Sequence, residues 1–552
     1  MNEKVRVFFG NETVLVDKGI TFYEIKKLLS DKINFPIIGV KVNYEITSLT
    51  NVITKDSNVE FFGAKDIDGA KIYKSGLQFI FEVAIKELYK KNYHSSCEIF
   101  FNHSIGNGIH VTVEAEFPFA EPMIEELEAK INELINADLP IVKMNISKKD
   151  AFTFYQSIQD QEKQVNVHNV TNEIVTMYKI GEHLNYFYTE MPYSTGVINN
   201  YDLIYLGENR IGLMLSKEQA LHDCNLYKNV ISCFAENNQW LRKIGIPFVS
   251  NINKLVSDSK ISDLMRVNEI RYEKSLADLV DEAIAKQAKY IMIAGPSSSG
   301  KTTTAKKISL LLKANGFEPL MMSTDDYFLD RQDTPKDENG NYNFECLEAM
   351  DLELLNRHLS DLKDGKEINA PVFDFITGTK SYNQAPLKLK DNGIIILEGL
   401  HCVNDALTPQ IAKELKYKVY ISPFMPLNID RHNYISTTDL RMLRRMIRDN
   451  RKRGANVTDT IAYWQNVRRG EGKYIFPYMN QADKVINTSL VYELGVLKVY
   501  AEPLLYSVSL SSPYYGEARR LINFLKIFFT IPSEYVSSDS ILREFIGGSI
   551  FE

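Results

Sequence analysis

The chain has 552 residues and a formal net charge of −7, and 44% of its residues are hydrophobic. This length exceeds what one core supports, so we expect roughly three or four domains. The composition argues against a disordered chain or a general polyanion binder. Five widely spaced cysteines without a CxxC pair indicate neither a disulfide scaffold nor a zinc finger. Because no apolar run approaches the roughly 18 residues of a spanning helix, we expect a cytoplasmic protein without a membrane partner.

Residues 1–64 have the pattern of a small α+β domain. Apolar alternation and helical spacing predict, in chain order, strands 4–9 and 12–16, a helix over 21–32, and strands 37–42, 52–53 and 59–62. Two strands, a helix and further strands are typical of a ubiquitin-like fold. The order resembles the TGS-like module at the N-terminus of threonyl-tRNA synthetases and related GTPases.

Residues 65–250 are predicted to form a second α+β unit, with helices over 77–91 and 122–137 and strands over 98–102 and 110–116. The two units in this order resemble the N-terminal half of threonyl-tRNA synthetase, including its editing-type second additional domain. That family's editing pocket uses a His-x-x-x-His helix and a later Cys-x-x-x-His pair. Here the helix opens YKSGL at 73–77, and 183–188 has no cysteine three residues before a histidine. We therefore expect no hydrolytic or zinc-binding site.

Two further features of this unit have competing interpretations. His103 and His110 flank a glycine-rich turn, where loop histidines are the more common explanation than a metal pair. Residues 193–196 line either a residual pocket or a surface turn. Regulation, RNA contact and assembly all remain open as roles for residues 1–249, and the oligomeric state stays open. Charged, helical spacing over 251–288 predicts a helical connector.

Residues 289–552 are predicted to form an α/β domain around a parallel sheet. Short apolar strands over 319–323, 393–397 and 417–421 are separated by helical stretches such as 352–362. Ligands of such folds bind beyond the carboxyl ends of the strands. The polar residues that follow each strand are therefore the candidates for a site.

The stretch GPSSSGKTT at 295–303 lies between an apolar strand and a predicted helix, which is the context of a phosphate-binding loop. Backbone amides at the helix N-terminus bind phosphate oxygens, Lys301 adds a positive charge, and Thr302 offers a hydroxyl to Mg²⁺. A glycine-rich turn without a ligand is the alternative, which the flanking strand and helix disfavour. We assign nucleotide binding to Gly295, Pro296, Ser297, Ser298, Ser299, Gly300, Lys301, Thr302 and Thr303.

Two carboxylates follow predicted strands near this loop. Asp325, in STDDYF at 323–328, could accept a proton from an attacking hydroxyl or hold Mg²⁺ through water. Glu398 closes the apolar run GIIILEGL at 393–400 and has the position of a Walker-B carboxylate. We expect Glu398 and Thr302 to hold the metal. A helix cap for Asp325 and a buried structural role for Glu398 are the alternatives.

Four arginines, Arg441, Arg444, Arg445 and Arg448, recur at the spacing of one helix face. Like charges in this arrangement repel unless an anion lies among them. A solvated helix face is the ordinary alternative. We predict a lid helix that closes these arginines over a triphosphate.

The motifs GPSSSGKTT, STDDYF, FDF at 373–375, LEGLH at 397–401 and RRMIRDNRKRG at 444–454 resemble, in this order, the uridine kinase and phosphoribulokinase family. The whole arrangement resembles bacterial uridine kinase-like proteins with a synthetase-derived N-terminal half. The resemblance implies that Asp325 is the catalytic base and that Arg445 and Arg448 act with Lys301 on the phosphates. It implies that Glu345 binds the ribose hydroxyls, and it places the acceptor pocket at Tyr327, Glu345, Phe373, Asp374 and Arg444.

Two positions depart from the pyrimidine nucleoside kinases of that family. Gly378 stands where they carry a histidine five residues after the aromatic, and Ala455 stands where an arginine is common. Both changes remove polar contacts to the base, so the acceptor's identity stays open. Residues 464–471 supply either replacement contacts or packing, and the tail 541–551 is expected to dock on a domain surface.

These predictions converge on an ATP- and Mg²⁺-dependent kinase that phosphorylates the 5′-hydroxyl of uridine, cytidine or a similar nucleoside. Two alternatives remain. One is a kinase for another sugar or nucleoside acceptor. The other is an ATP-gated RNA-binding or regulatory protein in which the synthetase-like half acts.

Overall fold

The computed structural model describes residues 3–169, 173–217, 227–337, 340, 342–374 and 377–552. Cys224, and Phe375 of the FDF motif, lie outside the described residues. Within the described ranges, we find no helix that combines the length and the apolar character needed to cross a bilayer.

The first sheet has five strands, with Glu12–Asp17 at one edge and Glu45–Thr47 at the other. From edge to edge its strands are Glu12–Asp17, Lys4–Phe9, Ser57–Gly63, Ile37–Val42 and Glu45–Thr47. The helix Phe22–Leu28 begins at a capping box, in which the Thr21 side chain accepts from the amide of Glu24. The predicted strand at 52–53 is only a single bridge between Thr21 and Val52.

The next part of the chain builds two more antiparallel sheets. One contains Asp202–Gly207, Arg210–Met214, Gly108–Ala115 and Cys97–Ile105, and the other His183–Asn185, Ile174–Ile180 and Val142–Ser147. The helices here are Ile67–Asn92, Met123–Asn136, Lys148–Ser157 and Gln161–Asn169.

The long helix Ile67–Asn92 begins ten residues before the predicted start, and its first part packs closely through two glycines as well as through Ile72 and Tyr73. A Cβ on Gly69 would lie 1.9 Å from the carbonyl oxygen of Gly63, and one on Gly76 would lie 2.5 Å from Pro192. Close approaches at glycines are not recorded by apolar spacing, so the spacing alone places the start of the helix too late.

The sequence indicates that His103 and His110 are loop histidines, but the structure places both on strands. They face each other on the paired strands Cys97–Ile105 and Gly108–Ala115 and are 3% and 5% exposed. The ring of His103 stacks on Phe234 with 3.7 Å between centroids. Among the described residues, no group of three or more potential metal ligands includes them.

Three helices, Lys228–Lys243, Val249–Ser257 and Ile261–Ala285, lead to the last sheet. The third buries Leu276, Leu279 and Val280 completely in the same core that covers one face of that sheet.

The last sheet is parallel throughout and has Tyr290–Ala294 at its centre. Its strands, from edge to edge, are Glu318–Ser323, Gly393–Gly399, Tyr290–Ala294, Lys416–Ser422 and Lys484–Asn487. Alternate residues of the central strand enter different cores, Ile291 on one face and Met292 on the other. The carboxyl ends of all five strands therefore meet at one edge, with helices on both faces.

The longer helices around this sheet are Lys301–Ala314, Leu352–Lys363, Thr437–Arg453, Val457–Tyr474, Glu493–Tyr506 and Tyr515–Leu525. A short helix, Arg543–Ile546, lies near the C-terminus. Two small hairpins pair Glu367–Ile368 with Leu387–Lys388 and Val372–Asp374 with Thr379–Ser381. We call Lys301–Ala314 the phosphate-loop helix and Thr437–Arg453 the arginine helix.

Candidate active site

The phosphate loop, residues 295–302, connects the central strand to the phosphate-loop helix. Ser298 and Gly300 have φ values of 61° and 87°, and left-handed residues of this kind turn successive amides toward one point, as in an anion-binding nest. The hydroxyls of Ser298 and Ser299 are buried and have no hydrogen-bond partner among the described residues. A loop with unused buried donors fits a ligand that brings acceptor oxygens.

Protein atoms hold three other polar groups of this loop, which the sequence assigns to phosphate binding. The Lys301 ammonium donates to the carbonyl of Gly295 at 3.0 Å. The amide of Ser297 donates to Glu471 at 3.3 Å, and the amide of Ser299 donates to the carbonyl of Pro296 at 3.2 Å. The loop is thus closed on itself and on neighbouring carboxylates.

Asp325 lies in a short 3₁₀ turn directly after the edge strand Glu318–Ser323, where Ser323 accepts a hydrogen bond from its amide. Burial raises the pKa of the Asp325 carboxyl, while Lys301, Arg453 and Arg448 act in the opposite direction. A carboxylate held near three cations, with an affinity for protons above the ordinary one, has the properties of a general base.

Glu398 lies near the end of Gly393–Gly399, and the register pairs it with Ile293 of the central strand. The Thr302 hydroxyl donates to its Oε1 at 3.1 Å. Burial raises the pKa of Glu398 to about 7, Lys301 opposes that shift, and Asp325 adds to it. Lys301, Asp325 and Glu398 therefore form one electrostatic unit at the carboxyl edge of the sheet.

The chemistry of Thr302 and Glu398 fits Mg²⁺. Their hydroxyl and carboxylate are hard oxygen donors held next to each other. Within the described ranges, no three or more His, Cys, Asp or Glu side chains converge on a closed metal cage. Mg²⁺ in kinases is usually held by one or two protein oxygens plus substrate phosphates and water, which this pair would allow.

The sequence predicts a stripe of four arginines that are free to bind an anion, and the structure corrects this prediction for Arg441 and Arg444. Arg441 pairs with Glu471 through hydrogen bonds that include one of 2.9 Å, and both side chains are buried. Arg444 is fully buried, donates to Glu493 at 2.7 Å and donates to the carbonyl of Thr488 at 2.9 Å. Arg444 is therefore part of the packing that anchors the helix, and the atoms to which it donates, including the Ser298 carbonyl at 3.5 Å, are protein atoms.

Three arginines of the helix contact the loop itself, because Arg441 and Arg444 donate to the carbonyls of Ser297 and Ser298 at 2.9 and 3.5 Å and Arg445 reaches the Ser297 hydroxyl. Arg448 and Arg453 lie near Asp325, and both of them oppose the rise of its pKa that burial causes. Arg445 donates to the Ser297 hydroxyl at 2.9 Å and lies 3.3 Å from the carboxylate of Asp449. Arg448 donates to the same carboxylate at 2.8 Å, and Arg453 lies 3.6 Å from it. Three guanidinium groups thus share one carboxylate, which leaves positive charge for an anion.

The sequence assignment missed Arg453. Gly454, with φ of 62°, ends the arginine helix in a left-handed cap, so Arg453 lies in the last turn. The Arg453 side chain is 53% exposed, and partial desolvation together with the adjacent Arg448 lowers the pKa of its guanidinium. The glycine cap after a basic run was the signal that could have identified it.

Glu345 lies against the helix Val457–Tyr474, where a Cβ on Gly470 would come within 2.6 Å of it. Burial, and then the carboxylate of Glu471, raises the pKa of Glu345 to about 7, while Arg445 opposes the shift. Glu345 is thus close enough to Arg445 of the arginine helix for the two charges to act on each other.

The aromatic residues assigned to the acceptor pocket are divided between site and core. Phe373 is 6% exposed, and its amide donates to Asp326 at 3.3 Å, which places it beside the Asp325 turn. Tyr327 is 1% exposed and its hydroxyl shares a hydrogen bond with the ring of His358, so its assignment to the acceptor pocket is corrected to the core. Asp374 is exposed.

Gly378 has φ of 74°, a conformation that favours glycine. A Cβ at this position would lie 2.7 Å from Nε of Arg331. The side chain of Arg331 therefore packs where the sequence comparison expected a histidine.

In the second unit, Tyr73 of the YKSGL stretch contacts the chain's own backbone. The Tyr73 hydroxyl accepts from the amides of Asn199 and Asn200 at 3.1 and 2.8 Å. Among the described residues, no metal-ligand cluster is present.

A phosphate loop at the centre of a parallel sheet, two carboxylates at the same edge and a helix that presents arginines to the loop define a P-loop phosphotransferase. The model of the Phosphoribulokinase / Uridine kinase family matches residues 290–492. Uridine kinase of Bacillus thuringiensis (strain Al Hakam) is 32% identical over 197 residues, which are 36% of this chain and 84% of that protein. The chain therefore belongs to the Phosphoribulokinase / Uridine kinase family.

Two other proteins are similar to parts of the chain. In the N-terminal half, threonine–tRNA ligase of Caldanaerobacter subterraneus subsp. tengcongensis is 29% identical over 189 residues, which are 34% of this chain and 29% of the ligase. The chain thus spans less than a third of the ligase. The solved structure of a possible uridine kinase from Bacillus stearothermophilus covers 39% of this chain and 98% of its own, at 20% identity and a TM-score of 0.26.

Proposed function

We propose that the chain uses ATP and Mg²⁺ to phosphorylate the 5′-hydroxyl of a nucleoside, with uridine and cytidine as the first candidates. The observation that carries this proposal is the cluster of Lys301, Asp325 and Glu398 at the carboxyl edge of the parallel sheet. It combines a phosphate-binding cation, a proton acceptor and a metal ligand within one loop region.

In the proposed reaction, Asp325 takes the proton of the acceptor hydroxyl as its oxygen attacks the γ-phosphorus and the bond to the leaving ADP breaks. Lys301 leaves the Gly295 carbonyl and binds β and γ oxygens. Thr302 and Glu398 would hold Mg²⁺, which neutralises charge on those oxygens. Arg445 and Arg448, with the adjacent Arg453, stabilise the charge that develops on the transferred group. Loop amides and hydroxyls orient the nucleotide.

The acceptor would lie between Glu345 and Phe373. The Glu345 carboxylate is the group proposed to bind the ribose hydroxyls, and Phe373 offers an apolar face to the nucleobase. Since the pKa of Glu345 is about 7, we infer that its carboxyl group binds the sugar either as a hydrogen-bond acceptor or, when protonated, as a hydrogen-bond donor.

One observation favours a second candidate acceptor. Arg331 fills the position beside Gly378, so a histidine contact to a pyrimidine has no direct equivalent there. A different nucleoside or sugar, with an oxygen or nitrogen that accepts a hydrogen bond from the Arg331 guanidinium, would bind at this position instead. A panel of nucleosides and sugars in a coupled ADP-release assay separates the two candidates, because only the true acceptor gives saturable ADP formation.

The similarity to the ligase supports RNA contact through residues 1–249 as a further part of the proposal. We also divide the chain into domains at 1–64, 65–250, 251–288 and 289–552, which the separate sheets support. Binding of tRNA with and without ATP tests the RNA contact. An ATP-gated RNA-binding protein without kinase activity would show a change in that affinity and no acceptor-dependent ADP.

The sharpest test of the catalytic proposal is Asp325→Asn, with Asp326→Asn as the matched neighbour. Loss of a general base costs about 10²–10⁴-fold in turnover. We expect that loss for Asp325→Asn with ATP affinity retained, whereas Asp326→Asn keeps most activity. Near-normal turnover of Asp325→Asn with the acceptor that the panel identifies would reject the assigned base.

A further inference from the structure

The C-terminal segment, residues 537–552, packs against both the phosphate loop and the arginine helix. Ile541, Leu542 and Phe545 have no exposed surface and belong to the core beside the parallel sheet. A Cβ on Gly300 of the loop would lie 2.3 Å from Cδ1 of Ile541. The segment is therefore in direct contact with the loop that the proposed function assigns to the nucleotide.

A carboxylate from this segment reaches the first turn of the phosphate-loop helix. Oε2 of Glu544 accepts from the Thr303 hydroxyl at 2.6 Å and from the Thr303 amide at 3.3 Å. First-turn amides have no partner within their own helix, and they bind anions because the helix dipole is positive there. In a phosphate loop, phosphate oxygens use the amides of this same turn.

The arginine helix holds the segment in this position. Arg451 donates to the carbonyls of Phe545 and Glu544, each at 3.3 Å, and lies 2.5 Å from the Glu552 carboxylate. Lys452 lies 2.9 Å from the same carboxylate. The side chains of Arg451 and Glu552 are about one-third exposed, at 33% and 32%. Exposed pairs of this kind contribute little to stability, so they do not by themselves fix the end of the segment, whereas Ile541, Leu542 and Phe545 stay buried in the core.

A negative charge on Glu544 would oppose nucleotide binding. It acts on the Glu398 carboxyl in the same direction as Asp325, which shows that it adds to the negative charge around the metal-binding position. A triphosphate that enters this region meets a carboxylate at the helix terminus where one of its own oxygens would bind. Like charges cannot share the Thr303 amide without a cation between them.

We propose that Glu544 is an internal competitor for the nucleotide. Its carboxylate binds the amide and hydroxyl of Thr303 in the free protein and leaves when a phosphate takes both groups. The C-terminal segment is then an autoinhibitory latch whose release also frees the last turn of the arginine helix at Arg451. This inference rests on the proposed nucleotide binding at the phosphate loop.

The test is Glu544→Gln in the full chain, which keeps the size of the side chain and removes its charge. Isothermal titration with ATP and with inorganic pyrophosphate measures the affinity directly. In the wild type, only the fraction of molecules in which Glu544 has left Thr303 can bind a ligand, so the apparent affinity is reduced by that fraction. Without the charge of residue 544 this reduction is relieved, and we expect both ligands to bind about fivefold to tenfold more tightly. Glu534→Gln, an exposed glutamate ten residues earlier in the chain, is the matched control and should bind as the wild type does.

The outcomes separate the latch from the proposed function. Equal or weaker binding of ATP and pyrophosphate by Glu544→Gln overturns the latch and leaves a purely structural contact. A structural contact would lower the melting temperature without changing either affinity, so melting is measured alongside. If neither the wild type nor Glu544→Gln binds ATP or pyrophosphate, the nucleotide site itself is rejected, and the latch with it.

Hydrogen exchange of the wild-type protein gives an independent readout. We expect the amides of residues 546–552, which follow Glu544, to lose protection when ATP is added, because the contact of Glu544 with Thr303 is displaced. Unchanged or increased protection in this segment, at an ATP concentration that saturates binding, would contradict the displacement.

Discussion

Burial raises the pKa of the Glu398 carboxyl above that of a free glutamate. Its pKa is about 7 in the folded protein against an ordinary 4.5, chiefly through burial. Between these two values the folded state binds more protons than the unfolded state does. The free energy of unfolding contributed by this group is therefore fully present below pH 4.5 and falls as pH rises through 7.

A pH titration of stability tests this assignment. The protein without nucleotide should lose about 1–3 kcal/mol of unfolding free energy through Glu398 as pH rises from 4.5 to 7. Glu398→Gln, which stays neutral, should show a shallower decline in urea denaturation across this range. The exposed Glu353→Gln is the control and should keep the wild-type slope. An unchanged slope in Glu398→Gln would show that the pKa of Glu398 in the wild type is not raised.

Among the elements, the arginine helix is the one whose role the sequence described least completely. The phosphate loop was predictable because its glycines, its lysine and its flanking elements are all local. The partners of Arg441 and Arg444 could not be predicted, because Glu471 and Glu493 are 30 and 49 residues away along the chain. The spacing of residues on a helix does not show which distant residues pack against it. The family motifs likewise could not show that Tyr327 turns its hydroxyl to His358.

Tertiary contacts explain the other differences between sequence and structure. Cross-strand pairing, which the alternation alone does not fix, places His103 opposite His110 inside a sheet. The docking of Glu544 on Thr303 joins residues 241 positions apart, so no motif records it. Local chemistry could therefore be predicted from the sequence, and the contacts that anchor or oppose it required the fold.

The ion pair between Arg444 and Glu493 predicts a strong energetic coupling between two helices. Both side chains are fully buried, so removing one partner leaves a buried charge without compensation. We expect Arg444→Met to cost about 3–5 kcal/mol of unfolding free energy. The double variant with Glu493→Met should cost clearly less than the sum of the two single variants, in a double-mutant cycle by urea denaturation. Additive costs would show that the two charges do not depend on each other.

At the scale of the whole molecule, a chain of ion pairs joins the N-terminal half to the arginine helix. Lys71, on the helix Ile67–Asn92, lies 3.4 Å from Glu517. Glu517 pairs with Arg520 at 2.7 Å, and Arg520 pairs with Asp439 of the arginine helix at 2.8 Å. The first turn of the arginine helix is therefore linked to an element outside the parallel-sheet region.

This chain predicts graded effects of substitution. Arg520→Met removes the cation between Asp439 and Glu517, whose side chains are only 14% and 19% exposed, and should cost about 2–4 kcal/mol of unfolding free energy. Lys71→Met removes a more exposed end of the chain and should cost about 1 kcal/mol or less. Arg519→Met, next to Arg520 in sequence, should have almost no effect. Urea denaturation of the three variants measures the order, and equal costs for Arg520→Met and Arg519→Met would show that the linkage does not stabilise the molecule.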